Sequence, residues 1–187
     1  MQKHWIIADY HYGHYNIIKH CNRPFWHEVW NEDIQGYIPE PNVHEMNKVM
    51  TENTNSVVGV NDVLHIVGDI AYRGQNADFY RKQIKCRNVN LILGNHDDHN
   101  ISKYKTFTSV QHYSELKYNG RLIVLSHYPM RSWRNSFHGS LHCYGHVHHN
   151  IEPIGRSIDV GIDGKDYNFT PLSLDWIIEK LEKIPIK

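Results

Sequence analysis

Residues 89–97 of the chain, Val-Asn-Leu-Ile-Leu-Gly-Asn-His-Asp, pass from an apolar stretch directly into polar side chains. The apolar part predicts a short buried strand. The same order recurs at residues 63–69, where Val-Leu-His-Ile-Val is followed by Gly-Asp. In open α/β sheets, ligands bind beyond the carboxyl ends of the strands. The two segments therefore predict an α/β fold with a polar site at one edge of its sheet.

Strands and helices are predicted to alternate along the first half of the chain. Strands are predicted at 3–8, 63–67 and 89–93, and helices at 14–21, 43–57 and 76–86. The helix at 43–57 has a suitable N-cap in Asn42, and its apolar residues fall on one face. Residues 24–42 contain two tryptophans and three prolines without a clean period. We predict an ordered surface loop there.

The second half is predicted to be richer in strands. They are expected at 107–113, 115–118, 121–125, 141–144 and 157–162, before a closing helix at 172–182. Asn119-Gly120 is a strong signal for a hairpin turn between two of them. No repeat, low-complexity segment or domain boundary interrupts this order. Residues 1–187 are therefore predicted to form one domain.

The composition narrows the class of protein. The 187 residues include 20 basic and 20 acidic side chains, which argues against a protein built for tight, non-specific nucleic-acid binding. The three cysteines are widely spaced, and no signal-peptide pattern precedes the first predicted strand. No apolar run approaches the roughly 20 residues of a membrane helix. We expect a cytoplasmic protein with reduced thiols and no membrane partner; the oligomeric state stays open.

Ligand-type residues follow five of the predicted strands. The blocks are Asp9-Tyr10-His11, Gly68-Asp69, Gly94-Asn95-His96-Asp97, Ser126-His127 and Gly145-His146-Val147-His148. In the first and last blocks the ligand-type residues stand two positions apart, and in an extended chain such residues project to one side. The glycines permit tight turns and close backbone approach. Because histidine is the commonest metal-ligating side chain, the blocks predict one shared metal site.

The side chains of these blocks predict a centre for two divalent ions. Asp69 is the candidate bridge because a carboxylate has two oxygens, and Asn95 offers a neutral carbonyl oxygen. Two ions about 3.5–4 Å apart can activate a bridging water as hydroxide and clamp phosphoryl oxygens during in-line attack. His96 is expected to face the substrate as general acid, with Asp97 orienting it. The alternatives are a structural or ligating His96 and an Asp97 without a part in proton transfer.

In this order, the five blocks resemble the signature of the calcineurin-like metallophosphoesterases, and the resemblance spans residues 9–148. It is closest in kind to the small bacterial and phage members. It implies one ion on Asp9, His11, Asp69 and His148, and another on Asp69, Asn95, His127 and His146. It also implies a four-layer αββα sandwich of two mixed β-sheets flanked by helices. Ala8 stands where serine is usual, and residues 27–42 are longer than the usual link.

The identity of the ions follows from the donor set. Mixed imidazole, carboxylate and amide ligands suit transition-type divalent ions better than calcium or magnesium alone. We expect manganese, with iron, zinc, nickel or cobalt as alternatives.

Three residues near the blocks are predicted to contact substrate. His14 follows the first block, the Arg23 guanidinium suits a phosphate, and Trp133 lies in an aromatic and basic segment able to stack a base. Their alternatives are a helix-start residue, a salt bridge and plain packing. We therefore expect a phosphodiesterase acting on nucleotide-derived substrates such as cyclic nucleotides. The alternatives are a phosphomonoesterase and, in another class, a metal-dependent binding module without turnover.

Overall fold

The computed structural model describes residues 2–74 and 76–186. Its strands are β1 (His4–Ile7), β2 (Trp26–Asn31), β3 (Gly36–Pro41), β4 (Val63–Val67), β5 (Asn88–Ile92), β6 (Ser109–Gln111), β7 (Tyr113–Tyr118), β8 (Arg121–Ser126), β9 (Leu141–Tyr144), β10 (Ser157–Asp159) and β11 (Leu172–Ser173). Its α-helices are α1 (Tyr15–His20), α2 (Val43–Val57), α3 (Ala77–Gln83) and α4 (Leu174–Glu182). Short 3₁₀ turns lie at Tyr72–Gly74, His99–Lys103 and Ser136–His138. None of the helices in these ranges is both long and apolar enough to span a bilayer.

The strands form two mixed sheets and a separate hairpin. The larger sheet has the order β11-β1-β4-β5-β6, in which only β11 runs antiparallel to its neighbour. The smaller sheet has the order β10-β9-β8-β7, with β7 antiparallel to β8. The turn between β7 and β8 has φ of 47° at Asn119 and 76° at Gly120. Positive φ at both central positions characterises a type I′ turn, so the hairpin prediction is confirmed.

Parallel pairing brings the strand ends that carry the blocks to one edge. β1 pairs with β4 through Ile7 opposite Ile66, and β4 pairs with β5 through Val67 opposite Ile92. The two sheets are joined at this same edge, where the backbone N–H of Ala8 donates to the carbonyl of Val160 at 3.0 Å. The carboxyl ends of strands from both sheets therefore meet in one place.

Two apolar clusters cover the two faces of the larger sheet. One lies between this sheet and helices α1 to α3, and it contains Ile7, Leu64, Ile66, Leu91, Ile18, Met46 and Met50. The other lies between the two sheets and includes α4, with Ile6, Val67, Ile123, Leu125, Leu141, Cys143, Leu174 and Ile177. Neighbours on a strand, such as Ile6 and Ile7, point to opposite faces. The structure is thus α/β, with mixed sheets flanked by helices.

The outer face of the smaller sheet is contacted by the segment at 128–140. His142 on this face accepts a hydrogen bond from the Met130 backbone N–H at 3.2 Å, and its ring centroid lies 5.1 Å from that of Trp133. Helix α4 instead contributes to the cluster between the sheets. The α/β class is confirmed, and the complete four-layer order stays a prediction.

The predicted loop at residues 24–42 is wrong, because β2 and β3 form an antiparallel hairpin there. Its turn begins at Asn31, whose side-chain oxygen accepts from the backbone N–H of Asp33 at 3.0 Å. Pro39 and Pro41 in β3 made the strand hard to predict, since proline lacks the N–H of a sheet ladder. A two-stranded hairpin tolerates them because each strand has a free edge.

The N-cap of α2 gives a test of the local fold. The Asn42 side-chain oxygen accepts from the backbone N–H of Glu45 at 3.0 Å, as the sequence predicted. We expect Asn42→Ala to lower the free energy of unfolding by about 1 kcal/mol in urea denaturation. Asn42→Ser should retain most of the stability, since serine also caps. Equal losses in the two variants would contradict a capping role.

Candidate metal centre

The five blocks are brought together by unusual backbone geometry at the shared edge. Five of the seven predicted ligand residues have positive φ: Asp9 at 59°, His11 at 51°, Asp69 at 54°, His146 at 71° and His148 at 45°. For residues other than glycine this left-handed conformation costs about 1–3 kcal/mol each, and it concentrates at functional sites. The surrounding structure must therefore hold these residues in place.

The expectation that the paired ligand residues lie in extended chain is wrong. Asp9 and His11 are both left-handed, so each turns the chain instead of continuing a strand. Backbone hydrogen bonds to the second block support these turns: Asp9 N–H donates to Gly68 O at 3.1 Å, and His11 N–H donates to Asp69 O at 2.9 Å. The first two blocks are thus fixed to each other through their backbones.

Two carboxylates lie at the centre of the site. Both oxygens of Asp9 accept from the backbone N–H of His146, at 3.1 and 2.9 Å. Asp69 Oδ1 accepts from the backbone N–H of His96 at 2.8 Å. Its Oδ2 lies 3.5 Å from Nε2 of both His11 and His127. Asp69 Oδ2 therefore stands between imidazoles of the first and fourth blocks.

These carboxylates are buried, with Asp9 at 0% and Asp69 at 2% exposure. Burial raises the pKa of Asp9 to about 7, and the neighbouring Asp69 carboxylate adds to this effect. Burial opposes ionisation of Asp69 as well, but the interaction with His127 is strong enough to hold the pKa of Asp69 at about 2. A bound cation would favour the ionised form of both groups.

The side chain of Asn95 contacts two imidazoles. Its side-chain oxygen lies 3.0 Å from His127 Nε2 and 2.8 Å from His146 Nδ1. The other nitrogen of His127 donates to Val67 O at 3.0 Å. Although burial lowers it, the pKa of His127 is raised to about 9 by Asp69, so this ring carries two N–H groups without a cation. Its Nε2 proton occupies the position from which the nitrogen could bind a metal.

The His11 ring is the strongest indication that these residues fit a metal ion. Its side chain is buried, and neither ring nitrogen forms a hydrogen bond within the described part of the chain. Burial lowers the pKa of His11 to about 2, so the ring is neutral. Ligand atoms of Asp9, His11 and His148 all lie within 4.8 Å of one another, as do those of Asp9, Asp69 and His127. The residues present therefore fit divalent transition-type cations.

Two glycines make room for these side chains. A Cβ at Gly68 would lie 2.1 Å from His127 Nδ1, and one at Gly94 would lie 2.2 Å from Asp69 Oδ1. Both separations are far below van der Waals contact. Any larger residue at these two positions would displace a candidate ligand.

His96 lies at the mouth of the metal pocket, which is the space between the candidate ligands. It is partly exposed, and its ring centroid is 5.1 Å from that of His11 and 6.0 Å from that of His14. One of its nitrogens falls within 4.8 Å of ligand atoms of His11 and Asp69. His96 is thus nearer to the candidate ligands than expected, and its position suits both a proton donor and a further ligand.

The expected contact between Asp97 and His96 is absent from the described hydrogen bonds. The Asp97 carboxylate accepts from three backbone N–H groups, those of Gly94 and Asp69 at 2.9 Å and that of Ile70 at 3.0 Å. Burial raises the pKa of this carboxyl to about 6. Asp97 ties the second block to the third, so an orienting role toward His96 is corrected to a role in holding the backbone.

His14 lies beside His96 and is 9% exposed, and its contact with substrate stays a prediction. Its ring stacks on that of Tyr72, with centroids 4.1 Å apart and planes inclined by 20°. No sequence motif marks Tyr72, because it lies in an irregular turn after the second block. The pair forms one wall beside His96.

The predicted phosphate contact of Arg23 is wrong. Arg23 is only 1% exposed. Its guanidinium donates to the carbonyls of Asp9 and Tyr10, at 2.8 and 2.9 Å, and to both carboxylate oxygens of Asp163, at 2.7 and 2.9 Å. The group therefore supports the site from behind and is closed to a substrate.

The predicted base-stacking role of Trp133 is also wrong. Trp133 is 9% exposed and packs against His142 on the outer face of the smaller sheet. Its indole N–H donates to Ser140 O at 3.3 Å. The side chain is thus occupied by packing, which was the alternative for this residue.

Asp163 is a site residue that the sequence analysis missed. Its Oδ2 accepts from His148 Nδ1 at 2.8 Å. A usable signal was present, since Asp163 directly follows the predicted strand at 157–162, in the same manner as the five recognised blocks.

The chain is similar in sequence to one known protein and in structure to several others. No family model matches it. It is 32% identical over 192 residues to the uncharacterized protein MJ1445 of Methanocaldococcus jannaschii, covering 98% of this chain and 93% of that protein. The crystal structure of AQ665, a protein of unknown function from Aquifex aeolicus, matches with a TM-score of 0.68 at 22% identity, over 97% of this chain and 100% of that one.

Two further structures overlap less well. A predicted phosphoesterase from Streptococcus pneumoniae has a TM-score of 0.39 at 11% identity, over 86% of this chain and 71% of that one. The phosphoesterase YfcE of E. coli has a TM-score of 0.44 at 14% identity, over 86% and 79%. Overlaps at this level carry no inference, whereas AQ665 shares the fold. The identity to MJ1445 over nearly the whole of both chains shows that this chain belongs to the MJ1445 family.

Proposed function

We propose that this chain is a dinuclear metal-dependent phosphoester hydrolase, and more narrowly a phosphodiesterase acting on nucleotide-derived substrates. The observation that carries the proposal is the convergence of two carboxylates, four imidazoles and an amide on one pocket, in which His11 has no hydrogen-bond partner among the described residues. This donor set suits manganese and its neighbours. The proposal includes the four-layer sandwich implied by the calcineurin-like signature.

In this proposal one ion is held by Asp9, His11, Asp69 and His148, and the other by Asp69, Asn95, His127 and His146. The equal 3.5 Å separations from Asp69 Oδ2 to the imidazoles of His11 and His127 support its role as the bridge. When bound, the two ions supply Lewis acidity that polarises phosphoryl oxygens and makes water nucleophilic at neutral pH.

His96 is proposed as the proton donor to the leaving oxygen. Its backbone N–H is fixed by Asp69 Oδ1 at 2.8 Å, and Asp97 holds the loop from behind, so the ring has a defined place at the mouth of the pocket. His14 and Tyr72 limit the space beside it. A donor at the mouth can reach an oxygen of the substrate without leaving its position.

A groove that borders a recess at Tyr72 supports a substrate with an organic group on its phosphate. The groove has a volume of about 640 Å³ and shares Gly13 and Tyr80 with a smaller recess lined by Tyr72. Its lining residues include Phe79, which is 60% exposed, and Asn76. Aromatic and amide groups together suit a nucleobase, which stacks and forms hydrogen bonds. We propose that a base of the substrate binds in this groove and does not contact Trp133.

The metal and proton-donor roles are separated by two substitutions. We expect His96→Ala to lower kcat on bis-(p-nitrophenyl) phosphate by at least about tenfold while metal content is retained. Asp69→Ala should lose both metal and activity. Metal analysis of the purified variants and initial rates in Mn²⁺ give the result. The exposed His138→Ala is the matched control and should match the wild type. Loss of metal in His96→Ala would identify His96 as a ligand instead.

The substrate class is tested by comparing a diester with a monoester. We expect faster turnover of bis-(p-nitrophenyl) phosphate than of p-nitrophenyl phosphate in Mn²⁺. A faster monoester would favour the phosphomonoesterase alternative. No turnover of either with any divalent ion would favour a binding module.

The groove is tested with a cyclic nucleotide. Since stacking on an aromatic side chain contributes about 1–3 kcal/mol per base, Phe79→Ala should raise KM by roughly fivefold or more. Phe137→Ala is the control, because Phe137 is 71% exposed and lies outside the groove. An unchanged KM in Phe79→Ala would remove the groove from the substrate site.

A further inference from the structure

His148 is held from behind by a buried ion pair. Its Nδ1 donates to Asp163 Oδ2 at 2.8 Å, and both Asp163 oxygens accept from Arg23 at 2.7 and 2.9 Å. The side chains of Arg23 and Asp163 are 0% and 6% exposed. Arg23 and Asp163 stand 140 positions apart in sequence, so this contact joins the beginning of the chain to the residue that supports the last block.

We propose that Asp163, fixed by Arg23, is the positioning residue that sets the orientation and tautomer of His148 toward the metal pocket. A carboxylate can only accept, so the neutral His148 ring keeps its proton on Nδ1 and directs the lone pair of Nε2 to the pocket. Histidines that bind metals are commonly oriented by a carboxylate in this way. The inference rests on the dinuclear metal site of the proposed function, but not on the proposed hydrolysis.

Arg23 connects this arrangement to the first block. While it holds Asp163, the same guanidinium donates to the carbonyls of Asp9 and Tyr10 at 2.8 and 2.9 Å. Asp9 is fully buried, so its carbonyl needs a hydrogen-bond partner within the protein. One buried side chain thereby sets the separation between the Asp9 carboxylate and the His148 ring. These four hydrogen bonds need the planar set of donors that a guanidinium has, so arginine suits this position and lysine does not.

Cys21 offers a competing arrangement. Its Sγ lies 3.4 Å from His148 Nδ1, and ligand atoms of Cys21, His148 and Asp163 fall within 4.8 Å of one another. A cation bound there would use Nδ1 of His148. Against this stands Arg23, whose positive charge already neutralises the Asp163 carboxylate and occupies both of its oxygens. The observed contacts favour Asp163 as a hydrogen-bond acceptor over Asp163 as a ligand.

The test is a Mn²⁺ binding isotherm measured by equilibrium dialysis and metal analysis on wild type, Asp163→Asn and Asp163→Glu. Loss of such a carboxylate typically weakens metal binding by 10–100-fold, so one of the two ions should bind about that much more weakly in Asp163→Asn. The second ion should be unaffected. Asp163→Glu keeps the carboxylate on a side chain that is one methylene longer. It should weaken the binding of the same ion by less than Asp163→Asn does. It also provides the result if Asp163→Asn does not fold.

The matched control is Asp62→Asn, at the opposite end of β1 and β4. Asp62 also makes three hydrogen bonds, to the backbone N–H of Lys3 and Gly59 and to the indole of Trp5. The Asp62→Asn variant should unfold at a lower temperature than the wild type, and its Mn²⁺ binding isotherm should be unchanged. A change limited to one ion is therefore not a general effect of destabilisation.

Each other outcome has a defined meaning. Wild-type binding of both ions in Asp163→Asn and Asp163→Glu would overturn the positioning role and leave the proposed function standing. A wild-type protein that binds no divalent ion would overturn both. If the Cys21→Ser variant bound one ion fewer than the wild type, Cys21 would be a metal ligand. His148 would then bind that ion through Nδ1, which would overturn the tautomer assignment.

Discussion

The burial of two carboxylates at the edge where the sheets meet is the constraint around which this site is built. A buried carboxylate is costly unless it is paired and hydrogen-bonded. The Asp9 carboxylate accepts a hydrogen bond from the backbone N–H of His146. The Asp69 carboxylate accepts one from the backbone N–H of His96 and lies near the imidazoles of His11 and His127. These contacts come from blocks far apart in sequence, so satisfying the carboxylates also assembles the pocket. Burial nevertheless raises the pKa of Asp9 to about 7, because the cost of burying its charge exceeds the stabilisation from His148 and His127.

The same constraint explains the strained backbone. Left-handed residues place ligand side chains at strand ends in a way that extended chain does not. Two buried charged side chains outside the ligand set maintain this geometry: Asp97 binds backbone N–H groups of the second and third blocks, and Arg23 binds carbonyls of the first. Neither side chain is available to a substrate. Their contribution to function is through the positions of the candidate ligands.

The sequence predicted much of the fold because strand, turn and cap signals are local. Asn42 capping α2 and Asn119-Gly120 turning β7 into β8 are contacts between near neighbours, and both were found in the structure. The hairpin at β2 and β3 was missed because prolines weakened its signal. The convergence of the five blocks was also predictable, since parallel strands end at one edge.

The supporting contacts were less predictable, because they depend on distant parts of the chain. The guanidinium of Arg23 suits a phosphate by its chemistry, and only the fold shows that Asp163 lies against it. Trp133 had the composition of a base-stacking segment, yet its loop lies on the outer face of the smaller sheet. Asp97 follows His96 in sequence but faces the backbone of Asp69. In each case the residue type was informative and the three-dimensional partner decided its role.

The most direct test of the central claim is anomalous diffraction from crystals grown with Mn²⁺. The proposed dinuclear centre predicts two anomalous peaks about 3.5–4 Å apart, with the Asp69 carboxylate between them and His11 and His127 on opposite sides. A single peak, or peaks that do not contact Asp69, would contradict it.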